Sequence, residues 1–198
     1  MAAARGNSGV WLRRRGAAPI LGMHVESVCE ACGNHSLEPL HESGAEALEC
    51  SICGAVTGDD SAVNRILLGR EAQARGFGVQ IYPLARELDE LGGVAVRQAE
   101  DGDSWAMTFP RIAMTCDKRG VRQLQQLMRS LALHQRDLRI RWVLQLELGD
   151  HLLYVLKPDF QAPPAQVAPQ QIEDAIADSL RLGEFVAADR RLSWWKRD

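Results

Sequence analysis

Nowhere in this 198-residue sequence do apolar residues run together for the roughly 18 positions a membrane helix needs. Aromatics are scarce at 6%, and none stands between Trp11 and Phe77, which leaves the first third of the chain little to build a core from. Residues 23–64 contain no Lys or Arg at all. The nucleotide-binding GxxxxGK[ST], a GxGxxG between strand and helix, HExxH and GxSxG are also missing, so no phosphate loop, zincin or hydrolase nucleophile elbow is expected. The carboxylates fall in turns and on polar helix faces, without the convergence an acid/base pair requires. With 46% hydrophobic and 25% charged residues the chain has the composition of a soluble globular protein, long enough for one domain and a small module.

The near-neutral charge of -3 is a cancellation between blocks. Residues 1–22 carry four Arg and no acid. Their basic-then-apolar order resembles a secretory signal, but Gly16, Pro19 and Gly22 interrupt the apolar part and no small-residue cleavage site precedes Cys29. Residues 1–22 are expected to be a flexible or mis-assigned leader, with the natural start at Met23 and a cytoplasmic protein. Residues 23–64 then hold Glu26, Glu30, Glu38, Glu42, Glu46, Glu49, Asp59 and Asp60 without a single cation. The following stretch to residue 158 is moderately basic, so the charge pattern suggests separate modules.

What is plentiful is cysteine in a particular spacing. Cys29-Glu-Ala-Cys32-Gly33 and Cys50-Ser-Ile-Cys53-Gly54 stand 17 residues apart. Two CxxC pairs at this spacing point to a tetrathiolate metal site formed by Cys29, Cys32, Cys50 and Cys53. Each two-residue gap lets both thiolates of a turn face one ion, and the glycine after the pair supplies the positive φ such a knuckle uses. Disulfides fit a CxxC spacing in a cytosolic protein less well than a metal does. The spare donors His24, His35 and His41 are not needed by a closed tetrahedral site.

The paired CxxCG knuckles resemble the zinc-ribbon class over residues 25–56, which implies one structural Zn(II). They also resemble rubredoxin, which implies iron and electron transfer. Against that reading stand the absence of aromatics around the knuckles and Ser51 in the place where rubredoxins often carry Pro. Zinc ribbons frequently bind nucleic acid, yet phosphate binding rests on cations. Four thiolates around Zn(II) and the acidic residues 23–64 repel a phosphate backbone. The acidic ribbon suits a basic protein surface, one in the same chain included.

Beyond the ribbon, a helix is expected over 62–75 with Ser61 as its N-cap, and a short one over 83–91 with Pro83 at its start and Gly92 as its cap. Asp101-Gly102 between Val94–Ala99 and Ser104–Phe109 predicts a hairpin with Val94, Val96, Trp105, Met107 and Phe109 on one face. Ile112, Met114 and Cys116 suggest a third strand, with Cys116 a core thiol. Lys118 to His134 reads as a long helix with Val121, Leu124, Leu127, Met128, Leu131 and Ala132 inward. Leu138–Leu148 alternates, Gly149-Asp150 fits a two-residue turn, and His151–Lys157 returns to Pro158. Gln161–Pro169 is a Pro/Ala linker or surface wrap, Gln170–Leu182 a helix with Ile172, Ala175, Ile176 and Leu180 inward, and the Trp194-Trp195 tail is expected to fold back over an apolar edge.

The expected class is α+β: a small N-terminal zinc ribbon (23–60), an antiparallel sheet of two hairpins packed with helices (61–160), and a linker, helix and tail on it (161–198). This element order over 83–182 is similar to the type III secretion chaperone-like fold and its YbjN-like bacterial relatives, a resemblance without a diagnostic motif, and fold does not carry function. The concentrated basic residues Lys118, Arg119, Arg122, Arg129, Arg136, Arg139 and Arg141 form a candidate partner surface. The sequence therefore predicts a non-enzymatic zinc-binding adaptor or chaperone-like regulator with a protein partner. The alternative is a nucleic-acid-binding factor using 118–141 rather than the ribbon.

Overall fold

A computed structural model of the protein describes residues 28–40, 47–148, 150–163, 166–192 and 195. The expectations for the leader, His24, His41, Gly149 and Trp194 lie outside them. The architecture is α+β, with helices and two antiparallel sheets of three and four strands.

The smaller sheet belongs to the cysteine region: β1 (Leu37–Leu40), β2 (Ala47–Cys50) and β3 (Val56–Gly58), in the order β1-β2-β3. Helix α1 (Asp60–Ala74) follows directly. Its N-cap is Asp59 rather than Ser61: the carboxylate accepts the Ser61 N–H at 3.1 Å, and being charged it complements the helix N-terminus better than a hydroxyl would. Helix α2 (Tyr82–Asp89) has Pro83 in its first turn and buries Tyr82, Leu84, Ala85 and Leu88. It ends at Glu90, and the left-handed residue beyond it is Gly93 (φ +82°), not Gly92.

The larger sheet consists of β4 (Val94–Glu100), β5 (Arg111–Cys116), β6 (Trp142–Leu148) and β7 (Leu152–Pro158), in the order β4-β5-β7-β6. Helix α3 (Lys118–His134), which coincides with its expected span, carries the chain from β5 across to β6. The expected hairpin between 94–99 and 104–109 does not form; β4 pairs with β5 instead, Val94 opposite Cys116 and Glu100 opposite Arg111. The reason lies in Asp101. Its carboxylate accepts the N–H groups of Ile81 (2.8 Å) and Gln80 (3.2 Å), capping α2 from across the fold. Gly102 packs against Pro110, where a Cβ would sit 2.6 Å from the proline Cδ. The tight turn comes later, closed by the mutual backbone bonds of Asp103 and Thr108, with Asp103 Oδ1 accepting from Trp105 and Ala106 in an Asx turn. Trp105, expected inside, is consequently 96% exposed.

One face of the larger sheet is the core face. Val94, Val96, Ala99, Ile112, Met114, Leu156 and Trp142 meet Leu84, Leu88, Leu124, Leu127 and Leu131 from α2 and α3. Cys116 is half-buried at the border of this cluster rather than inside it. On the reverse face the buried Ala113 and Val155 are screened by long side chains, with Glu147 between Lys157 (3.2 Å) and Arg111 (3.6 Å).

Helix α4 (Pro169–Asp189) is longer than expected and lies on α2 and α3. Its buried side runs Ile172, Ala175, Ser179, Leu182 and Val186, so Leu180 points outward at 46% exposure, contrary to expectation. Gly183 makes the close approach to α2, where a Cβ would lie 3.4 Å from the Leu84 backbone. Val167 of the Pro/Ala segment is buried, and Trp195 folds back into the core with its Nε1 donating to Gln123 at 2.8 Å.

Burial fades along two of the expected stripes. Val121 and Met128 of α3 are half-exposed, and Ala132 is exposed. In β6, Leu146 and Leu148 are 57% and 89% exposed, although their alternation with Val143, Gln145 and Glu147 holds. Leu148 stands opposite Leu152, so three residues rather than two connect β6 to β7.

Candidate metal centre

The two knuckles repeat one backbone pattern. Cys29 N–H donates to Asn34 O (2.8 Å) and Cys50 N–H to Ala55 O (2.9 Å); Gly33 N–H donates to Cys29 O (2.7 Å) and Gly54 N–H to Cys50 O (2.8 Å). Such tight closure requires a left-handed residue, and Gly33 and Gly54 supply it at φ +75° and +73°. A further bond joins the knuckles, from Ser51 N–H to Ser36 O at 2.9 Å. Proline, which rubredoxins often carry here, has no N–H to make it.

These turns bring Cys29, Cys32, Cys50 and Cys53 together, all four Sγ atoms within 4.8 Å of one another. Across the knuckles, Cys29 and Cys53 are 3.7 Å apart and Cys32 and Cys50 3.6 Å. A Zn–S bond of about 2.3 Å gives a tetrahedral edge of about 3.8 Å, whereas a disulfide needs about 2.05 Å. The arrangement fits a zinc-ribbon-like metal site, and the edge suits four sulfurs about one small ion without identifying it. Cys29 and Cys50 are buried, and Cys32 and Cys53 face outward. His35 is exposed and takes no part in the cluster.

The sulfurs are chemically unequal. Asn34 serves Cys32 with its backbone N–H and with its side-chain amide, Nδ2 at 3.2 Å from Sγ, and draws that thiol down to about 6. The Ala55 backbone N–H pulls Cys53 in the same direction, but Cys32, desolvation and the thiols of Cys29 and Cys50 prevail and push it up to about 12. Four sulfurs this close do not all ionise unaided. A divalent cation lets them do so, and its binding expels the remaining protons.

The centre is tied to the helical part through β2. Glu49, next to Cys50, takes a two-pronged contact from Arg70 of α1, at 2.9 and 2.7 Å, and this guanidinium holds the Glu49 carboxyl below its usual range. The acidic cysteine region thus meets a cation of its own chain, but one outside the basic segment 118–141.

That segment does not stay together. Arg139 pairs with Asp174 of α4 and Arg141 with Asp159 beyond β7, at 3.5 Å. The Arg119 guanidinium lies over Gly92, and Arg129 donates to Gln126. Lys118, Arg122 and Arg129 share one stripe of α3 by helical spacing. Among the described residues none of these three pairs with a carboxylate.

Two polar groups of the interior carry no signal in the sequence. Asp178, wholly buried, accepts the Ile140 N–H through Oδ2 at 2.8 Å while Oδ1 lacks a partner among the described residues. Ser130, His134 and Asp189 also meet between α3 and α4. Ser130 Oγ (2.6 Å) and His134 Nε2 (3.2 Å) share Asp189 Oδ2, and Phe185 stacks on the imidazole at 4.1 Å. The carboxylate sits in the middle and no bond joins His134 to Ser130, so the trio lacks the hydroxyl-to-imidazole order of a catalytic relay and ties α3 to α4. Only i, i+4 spacing of Ser130 and His134 was available to reveal it; the third member is 55 residues away.

No protein family, no curated protein and no solved structure matches this chain.

Proposed function

We propose that this chain is a zinc-binding protein without catalytic activity, acting as an adaptor or chaperone-like regulator through protein–protein contacts. The thiol cluster carries the reading. Cys29, Cys32, Cys50 and Cys53 lie within 4.8 Å of one another, with two cross-knuckle separations at a tetrahedral edge, so as four ligands they would fill every position of a tetrahedral ion and leave none for a substrate. Zinc bound there supplies a cross-link between two short loops, and its binding energy becomes folding energy. Zinc is preferred to iron because no aromatic residue lies between Trp11 and Phe77 to surround the site.

In this reading residues 23–60 are the ribbon, 61–160 the α+β part and 161–198 the tail of a cytoplasmic protein. Ile52, between two of the cysteines and 65% exposed, and Val28, 45% exposed, give the knuckles an apolar tip suited to a protein partner. Elemental analysis and a pull-down test the proposal together. One zinc per chain, and partners lost with both Ile52→Asp and the Cys29→Ser plus Cys50→Ser pair, support it. Identical partners from all three proteins overturn the adaptor role, and a coloured, stoichiometric iron protein replaces it with electron transfer.

The stripe Lys118, Arg122 and Arg129, without a carboxylate partner among the described residues, favours a second reading in which α3 binds nucleic acid. Salt-sensitive DNA binding abolished by Arg122→Glu plus Arg129→Glu supports it. No binding at low salt removes it.

A further inference from the structure

The larger sheet has two edges, β4 and β6, and they are protected differently. Strand β4 is bulged at Arg97, between Val96 and Gln98, and carries Gln98 and Glu100 beyond it. Bulges and charged side chains keep an edge from templating another strand. Strand β6 reads Trp-Val-Leu-Gln-Leu-Glu-Leu, with regular pairing to β7 throughout and no bulge, lysine or proline. Its core-side residues lose their cover toward the hairpin, Leu146 at 57% and Leu148 at 89% exposure, with Leu152 beside them at 44%. Next to this edge a cavity of about 250 Å³ opens between α3 and the sheet, walled by Val121, Met128, Leu144, Leu146 and Tyr154.

We propose that β6 pairs antiparallel with β6 of a second copy of this chain, about a two-fold axis at Leu144, joining two four-stranded sheets into one. The strand is self-complementary in this register, as an isologous interface requires. Leu144 meets its own equivalent, Leu146 meets the partner's Trp142, and Leu148 reaches the side chain of the partner's Ile140, where the backbone ladder ends because that N–H is donated to Asp178. The most exposed apolar residues of each copy fall on the better-covered ones of the other, and Val121 and Met128 of α3 line the seam. On the opposite face Gln145 stands across from Val143, and Glu147 across from Arg141.

That last pair decides the register, since it occurs twice by symmetry and places opposite charges face to face. Arg141 is available for it. Its carbonyl accepts the Asp159 N–H at 2.7 Å, which continues the strand, while its side chain is 67% exposed with a single carboxylate at 3.5 Å. Moving the axis to Gln145 puts Glu147 opposite Val143 and forfeits both charge pairs. The bulged β4 edge stops the sheet from growing further, so the assembly closes at two.

Sedimentation equilibrium of the full zinc-loaded chain, in reductant so that thiol cross-links do not contribute, tests the proposal. The wild type is expected to be a concentration-dependent dimer at micromolar levels. Leu146→Lys is expected to be a monomer with unchanged circular dichroism, because the position is exposed within one copy. Glu147→Arg and Arg141→Glu should each weaken the dimer about tenfold. The double swap restores opposite charges across the axis but sets the new cation beside Lys157 and Arg111, so it should be tighter than either single variant without regaining the wild-type affinity. A monomer at every concentration, assemblies larger than two, a dimer indifferent to Leu146→Lys, or a double swap no tighter than its single variants each overturn it.

Discussion

Asp178 shows how much one buried atom determines. Burial raises its carboxyl above the usual range, against the pull of the Ile140 and Arg139 backbone N–H groups and the charges of Arg181 and Arg139. A folded-state pKa above the unfolded one means the native protein holds this proton more tightly. Its stabilising contribution is therefore complete below about pH 4 and is lost as pH rises through the raised value. Asp178→Asn keeps an acceptor for Ile140 and removes the charge. Its melting temperature relative to wild type should climb as pH rises from about 4, and a difference that stays flat across a melting series would refute this account. Asp178→Ala removes the acceptor as well and should cost about 2 kcal/mol in urea unfolding, the size expected for a buried amide left without its partner.

At the same scale, Asn34 makes the one side-chain hydrogen bond from outside the cysteine set to a knuckle sulfur among the described residues. Asn34→Ala should leave the metal count intact and lower metal affinity by about tenfold, the usual effect of losing a group that supports a ligand. A chelator competition measures it directly, and unchanged affinity would show that the backbone N–H suffices.

Among the elements, the junction of α2, β4 and α3 is the least forgiving. Gly93 O accepts the Asp117 N–H at 2.9 Å, and a Cβ on Gly120 would stand 2.1 Å from that oxygen and 2.6 Å from Cys116 Cβ. Helix propensity alone favours Gly120→Ala by about 1 kcal/mol. The clash reverses the sign, and the substitution should destabilise the protein by about 2 kcal/mol in urea unfolding; a gain in stability would show that α3 shifts freely at its N-terminus.

The elements differ in how much of them can be read beforehand, and the reason is the range over which each is determined. The knuckles and α3 are set by neighbours within a few residues, through CxxCG spacing and a 3.6-residue stripe, and both stand where the spacing puts them. The hairpin at 101–102 fails because Asp101 serves a helix that begins about 20 residues earlier, a contact without local trace. Leu146, Leu148 and Leu180 show the other limit: periodicity names a face, but what covers that face depends on where a different helix ends. The basic segment 118–141 parts company for the same reason, since Asp174 and Asp159 come from later in the chain.

On the scale of the whole molecule, the cysteine sheet and the larger sheet have separate hydrogen-bond ladders. Glu49 of the cysteine sheet pairs with Arg70 of α1, and among the described residues no ion pair joins the two sheets directly. Stripping the metal should therefore unfold the knuckles while the cooperative melt of the larger sheet moves by only a few degrees. A calorimetric scan with and without chelator reports both, and a single transition that collapses on chelation would mean the two parts fold as one.

The strand order has a consequence in time as well as in space. Because β7 lies between β5 and β6, the last strand synthesised must enter the middle of the sheet. Until residue 158 leaves the ribosome, β5 has β4 on one side and a vacant place on the other, and β6 has no neighbour at all. A nascent chain stalled before that point carries two unsatisfied ladders, and the larger sheet waits on seven residues from the final quarter of the protein.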